Sequence, residues 1–416
     1  VLLGLVALNN GTRLEYASVG ADMVYHDEAS EVGKSTRSRQ ISFLAYGMVG
    51  AMLLVRGAQK DKRPYWPVLI PVVILVGYIF LSTLWSSDSG TTLRRAIVVG
   101  CITLGGLGIG KSWRQTDLMN AILCCSTSFL LISIAAEVYY GTFLRGSGIG
   151  DYRFSGVFHP ARQAFGCGML ILACSSLYQL KGQQRYLVLA AIVCVFLLLT
   201  KARTGTAALM VAGLWLWWDY VGIRTVVILS PLAGLALGLA LLGMGTSTDD
   251  IDLLNVTRMG RTEELSDPTT LTGRLPIWSQ ALSDFSHQPI QGYGYGAFWL
   301  PRRVLHFEKL TGWAFSHAHC MYIESLVNLG ILGFSIGLAA VLATLHRALQ
   351  LRRSAAAYGG RLVVSIMIFA GLAGLTESAF VADGYEVMVA VLCVGYTAFQ
   401  GTLIPSQEQP RERERP

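Results

Sequence analysis

YLVLAAIVCVFLLLTKARTGTAALMVAGLWLWW, residues 186–218, carries two charged side chains, Lys201 and Arg203, and they stand one residue apart. The flanking runs, 186–200 and 204–218, are apolar all round. A helix on a soluble protein buries one stripe and keeps a polar face. These runs have no such face, and acyl chains are the solvent that accepts them. In hydrocarbon only helices and closed barrels satisfy their backbone polar groups. Barrel strands would be about ten residues long and would alternate in polarity. These runs are longer and do not alternate, which predicts helices, with Lys201, Ala202 and Arg203 as a tight turn at one membrane face.

The same pattern extends through the chain. Apolar runs stand at about 41–55, 66–84, 96–110, 118–138, 161–180, 186–200, 204–218, 222–243, 320–345, 362–380 and 385–403. A short apolar stretch ending near Ala7 reads as the remnant of a first helix, without the basic region of an intact signal peptide. The expected fold class is therefore all-α, a polytopic membrane protein of about 12 transmembrane helices. Four regions follow: transmembrane helices in 1–243, a large loop in 244–319, further transmembrane helices in 320–403 and a polar tail in 404–416.

Composition agrees. Apolar types make up 53% of the 416 residues and charged types 14%, against roughly a quarter charged in a soluble domain. The net charge is +7, but the basic residues sit in short loops, so membrane lipids account for them and nucleic acid is not an expected partner. Cys124, Cys125, Cys167, Cys174, Cys194 and Cys393 lie within apolar runs and show neither metal spacing nor a disulfide framework.

Alternate loops collect Lys and Arg: Arg56, Lys60, Lys62 and Arg63; Lys111 and Arg114; Lys181 and Arg185; Arg224; Arg347, Arg352, Arg353 and Arg361. That set predicts the cytoplasmic side, together with the tail. The opposite face receives residues 8–40, 85–95, 139–160, 201–203, 244–319 and 381–384. The 244–319 stretch is polar yet holds Trp278, Phe285, Tyr293, Tyr295, Phe298, Trp299 and Trp313. So aromatic a segment predicts a packed cap of short helices. Tyr293, Tyr295 and Trp299 are candidates to line a site, or else to form the core of that cap.

That outer face also gathers cations at membrane edges: Arg153 in GDYRFSGVFHPARQAFG, Arg203 in its three-residue turn, Arg274 in LTGRLPIW, and His317 and His319 in AFSHAHCMYIESL. Guanidinium forks suit phosphate oxygens, and two or three converging would make a diphosphate site. A single Arg at a helix end more often snorkels to headgroups. His159, beside Pro160, reads as a helix-start residue, and His287 and His306 as loop residues. His319 opens a long apolar helix. A helix start disfavours imidazolium, and a neutral imidazole can take a proton, as a general base must. Asp249, Asp250 and Asp252, like Glu263, Glu264 and Asp267, read as solvated charge runs. The expected site is cationic, with no metal and no cofactor.

Four stretches carry a family resemblance. They are LSTLWSSDSGTTLRRAI (81–97), FSGVFHPARQAFG (154–166), LLLTKARTGTAAL (197–209), and an element that runs from LTGRLPIW (271–278) through GYGYGAFW (292–299) to HCMYIESLVNLGILG (319–333). In this order they resemble the O-antigen ligase and polymerase superfamily of bacterial membrane proteins. Gly330 and Gly333 fix a register that selects His319 over His317. Three positions depart from the family pattern: Arg162 or Ala161 where Asn is usual, Ala202 for Ser, and Cys320 for Asn.

The resemblance implies a GT-C-type glycosyltransferase in the bacterial inner membrane, with its site facing the periplasm. It implies polysaccharide on undecaprenyl diphosphate as donor and a sugar hydroxyl of lipid A-core as acceptor. It assigns Arg203 and Arg274 to the diphosphate and His319 to the essential His; Arg153 is a further donor-binding candidate from its position. It also implies sugar stacking for Tyr293, Tyr295 and Trp299 where they line the site. A polymerase that passes the glycan to another lipid-linked repeat would share these features. A transporter without chemistry would share the helix count and the cations. However, the sequence shows no internal repeat of the kind transporters carry.

Overall fold

The computed structural model describes residues 37–56, 63–145, 152–218, 274–311, 317–378 and 384–401. The apolar start near Ala7, the run at 222–243, the acidic groups between 249 and 267, Trp313 and the tail from 404 lie outside them. The described residues are helical, with no strand: α1 (Arg37–Arg56), α2 (Trp66–Leu81), α3 (Ser89–Ser112), α4 (Gln115–Tyr140), α5 (Pro160–Lys181), α6 (Arg185–Leu199), α7 (Arg203–Trp217), α8 (Arg274–Phe285), α9 (Pro301–Thr311), α10 (Met321–Leu351), α11 (Ala357–Ala373) and α12 (Tyr385–Phe399).

Six of these, α1 to α5 and α10, are long and apolar enough to cross a membrane. The apolar helices α6, α11 and α12 are shorter, and α7 fills the 204–218 run. The chain is thus a multi-pass bundle of helices, although the described residues do not supply the full count of about 12 spans.

Helices in lipid lack a hydrophobic drive toward one another, so they associate through close packing of small residues. Glycine provides that here. A Cβ on Gly50 would overlap the α3 backbone at Leu104 and Gly105, and one on Gly110 would overlap Gly395 of α12. Backbones therefore touch along both sides of α3. The main core joins α4, α5, α11 and α12 around Phe129, Phe165, Met169, Phe369 and Leu392.

The loop helices α8 and α9 pack around Phe298, Trp299 and Phe307 and rest on the start of α10. Their attachment interrupts α10 itself. Gly330 adopts φ +66° inside that helix, and a Cβ there would overlap the Ile290 carbonyl. A break in a membrane helix strands backbone groups that lipid cannot satisfy. The loop takes them up: Tyr293 N–H donates to Val327 O (2.9 Å) and Gly294 N–H to Asn328 O (2.9 Å), while Ile331 N–H donates to Pro289 O (2.8 Å) and Leu332 N–H to Ile290 O (3.2 Å).

The basic loops meet at the far end of α10. There Arg347 donates to Gln400 O (2.6 Å), Gln400 donates to Trp113 O (2.9 Å), and Lys111 donates to Leu54 O (2.7 Å). His319 stands at the other end, one long helix away.

Candidate functional site

His319 sits just ahead of α10 with φ +48°, a left-handed backbone that is uncommon for a residue with a side chain. Such strain persists where the surroundings fix it, and here both neighbouring amides are fixed. Ala318 N–H donates to Glu324 Oε2 (2.8 Å), and Cys320 N–H donates to Ser378 Oγ (3.1 Å). Glu324 is buried and collects two more donors, Trp299 Nε1–H and Asn328 Nδ2–H, each at 2.8 Å. One carboxylate on the first turn of α10 thereby ties the loop core to the His317–Cys320 turn.

Glu377, four residues past the end of α11, links two residues that lie far apart in sequence. Arg274, the first residue of α8, donates to its Oε1 at 2.9 Å, and His319 Nδ1 stands 3.9 Å from its Oε2. Burial pushes the Glu377 carboxyl up, but His319 beside it and the Arg274 guanidinium outweigh that and hold it at about 2. It is a carboxylate at any working pH. His317 lies against His319 with ring centroids 4.0 Å apart. Burial first, and then the neighbouring His319, push His317 well below the ordinary imidazole range; His159 and Arg162 add to this and Glu377 opposes it. His317 is therefore neutral near pH 7.

The segment before α5 supplies the adjoining wall. Glu137, buried near the end of α4, gathers it in: Tyr152 OH, Ser155 N–H (3.0 Å) and Gly156 N–H (2.6 Å) all donate to its carboxylate. This places Arg153 so that its Nε–H reaches Thr200 O (3.2 Å) at the end of α6. The turn that follows is as tight as its sequence predicts: α6 ends at Leu199, Lys201 turns with φ +52°, and Arg203 already begins α7. There α7 lies against the start of α5, with the Gly205 α-carbon facing Ala164. His159 caps α5, its Nδ1 accepting from Ala161 N–H (3.3 Å), and Arg162 pairs with Glu386 of α12 at 3.2 Å.

The structure thus brings Arg274, His317 and His319 together around Glu377. It sets Arg153 at the 200–203 turn and Arg203 at the start of α7. The three aromatic candidates are engaged in packing. Trp299 is buried in the loop core and bonded to Glu324. Tyr293 donates to Asp284 O and lies under the Arg303 guanidinium. Tyr295 packs beside Ile79, Ala96 and Leu329.

One expectation needs correction. The site is not purely cationic: Glu377 pairs with Arg274 and faces His319, and Glu324, Glu137 and Glu386 hold the segments that carry Ala318, Ser155 and Arg162. A signal for them was present: each lies within an apolar run, where an ionisable residue is costly and points to function. Among the described residues, no group of three or more His, Cys, Asp or Glu forms a metal cluster.

A family description of O-antigen ligases matches residues 187–338, a stretch that includes Arg203, Arg274, His319 and Gly330. The match supports the resemblance and an enzymatic role of the ligase or transferase type. No curated protein matches the chain.

Proposed function

We propose that the chain is an O-antigen ligase that moves polysaccharide from undecaprenyl diphosphate to a sugar hydroxyl of lipid A-core, at the periplasmic face of the bacterial inner membrane. The observation that carries this reading is the Arg274–Glu377–His319 group. A guanidinium has five N–H donors in a fixed fork, and the bond to Glu377 leaves others for a diphosphate. His319 turns Nδ1 toward Glu377, and Nε2 is the nitrogen assigned to the acceptor hydroxyl.

As the hydroxyl oxygen attacks the anomeric carbon, its proton passes to Nε2. The bond from that carbon to the phosphate oxygen breaks, and the diphosphate leaves with the electron pair. Direct attack inverts the anomeric carbon. The imidazolium so formed faces the Glu377 carboxylate, as the base of a hydrolytic triad faces its acid. Arg274, with Arg203 and Arg153, balances charge that grows on the leaving diphosphate. Glycosidases need a second carboxyl to protonate a poor leaving oxygen; a diphosphate does not, and the reaction proceeds without a metal.

The test is reconstitution in liposomes with a defined lipid-linked donor, offered either lipid A-core or a second donor molecule, with and without a strong chelator. Product on lipid A-core in both conditions, lost in His319→Ala, is expected. Product only on the second donor would make the protein a polymerase. No product with either would refute transfer, and metal-reversible loss would overturn the metal-free step.

A further inference from the structure

Between α4, the start of α5 and the start of α12 lies a narrow cavity of about 20 Å³. It has room for roughly one water-sized group. Its polar lining is Arg162, Gln163, Glu386, Ser126 and Tyr385, and its aromatic walls are Phe129 and Phe158. Phe129 meets Phe158 and Tyr385 edge-on, with centroids 5.5 and 4.9 Å away. Ser126 Oγ and Tyr385 OH share a hydrogen bond of 2.8 Å.

Glu386 is the unusual member. Its side chain is 2% exposed. Oε1 takes the Arg162 Nε–H, while Oε2 has no hydrogen-bond partner among the described residues. A buried acceptor left unmade is costly. Gly384 presses its backbone onto this pair, and a Cβ there would overlap both the Arg162 guanidinium and Glu386 Oε2. Gly384 thus closes on the pair from one side while Glu386 also belongs to the cavity lining, and the donor assigned here to Oε2 is a group that enters the cavity.

The chemistry of the lining narrows the occupant. A carboxylate repels phosphate, so the cavity does not extend the diphosphate site. An acyl chain would leave Glu386 unsatisfied. A hard cation wants six or more oxygens and would face the Arg162 guanidinium. A hydroxyl fits: it donates to Oε2 and can accept from Arg162 or from the Ser126–Tyr385 pair, between aromatic edges.

We propose that this cavity is a subsite for one hydroxyl of a sugar ring, with Glu386 as acceptor and the rest of the ring lying toward the Arg274–Glu377–His319 group. The two regions share the start of α5, where Arg162 lines the cavity and His159 caps the helix, and both residues act electrostatically on His317. The subsite rests on the glycosyl-transfer reading and deepens it. Cations hold the diphosphate on one side, and a carboxylate receives the neutral sugar on the other. The ring could belong to donor or acceptor, and kinetics separate the two.

The experiment uses the full chain in liposomes, with donor and acceptor titrated separately for wild type, Glu386→Gln and Ser126→Ala. Gln at 386 keeps the shape but presents an amide N–H₂ to the hydroxyl; Ser126→Ala leaves the Arg162–Glu386 pair intact should the first variant fold poorly. The expected result is that KM for one sugar substrate rises about tenfold while KM for the other stays unchanged. A rise for the acceptor assigns the subsite to its ring, and a rise for the donor to the donor's ring. Unchanged KM for both, or a fall in kcat alone, would mean that the cavity holds only structural water, and would overturn the proposal. If wild type transfers no glycan, the transfer reading fails. The subsite then stands or falls by saturation-transfer NMR with methyl glucoside and methyl galactoside. A sugar signal seen with wild type and abolished by both substitutions sustains it, and no signal with wild type refutes it.

Discussion

Replacing Glu377 by Gln removes one charge and almost no volume from the centre of the site. A carboxyl held at about 2 instead of the ordinary 4.5 contributes on the order of 3 kcal/mol of stability at neutral pH, at ~1.4 kcal/mol per tenfold. The sign follows from the depressed value: the contribution is complete above 4.5 and is lost as pH falls toward 2. Gln never has it. The wild type should therefore unfold at higher temperature than Glu377→Gln at pH 7, with a difference that narrows below pH 4.5 and closes near pH 2. Turnover should fall as well, by on the order of a hundredfold or more, because the imidazolium formed on His319 loses its counter-charge. KM should move less, since the amides on either side of His319 are held by Glu324 and Ser378 and not by Glu377. Thermal unfolding across pH, paired with donor and acceptor kinetics, measures both effects. A stability gap that does not change between pH 7 and 3, or an unaltered kcat, would refute the reasoning.

Arg274→Lys and Arg203→Lys keep the charge and lose the fork, so donor KM should rise about tenfold while acceptor KM holds; unchanged donor use would mean these side chains only snorkel. Glu324→Gln offers one acceptor oxygen where the carboxylate gives two, leaving a buried N–H unmet at a cost of roughly 1–3 kcal/mol, visible as a lower unfolding temperature together with a lower kcat. Gly330→Ala forces a side chain into φ +66° and onto the Ile290 carbonyl, and should cost on the order of 2 kcal/mol or more; a thermal midpoint equal to wild type would show that the loop does not hold the break.

The helices were legible because lipid selects composition along the chain itself: each apolar run that falls within the described residues is helical over most of its length, and six of these helices are long enough to cross a membrane. The 201–203 turn was legible for a similar local reason, since three residues leave the backbone little choice. The choice of His319 over His317 rested on the register that Gly330 and Gly333 set within the family resemblance; in the structure His319 is the one whose Nδ1 faces Glu377. Glu377 was legible only as an ionisable residue inside an apolar run, and the partners it meets were not. The 362–380 run reads as one helix to its end, but α11 stops at Ala373, and it is the chain beyond it that turns Glu377 toward Arg274 and His319. That meeting depends on the packing of α8, α10 and α11, which no local pattern encodes. The aromatic loop showed the opposite difficulty. Its composition suits sugar stacking and core packing equally, and only the contacts of Trp299 with Phe298, Phe307 and Glu324 distinguish them.

The interruption at Gly330 has a consequence for anyone who would graft this region. Residues 289–294 and 327–332 complete one another's backbone pairing, so neither segment is a finished unit alone. The short upper piece of α10, with His319 just ahead of it, is mechanically part of the periphery and only continuous in sequence with the shaft below. A chimera that exchanges the loop but keeps the host's helix would sever that splice. One that moves both halves of it together would carry the histidine along in register.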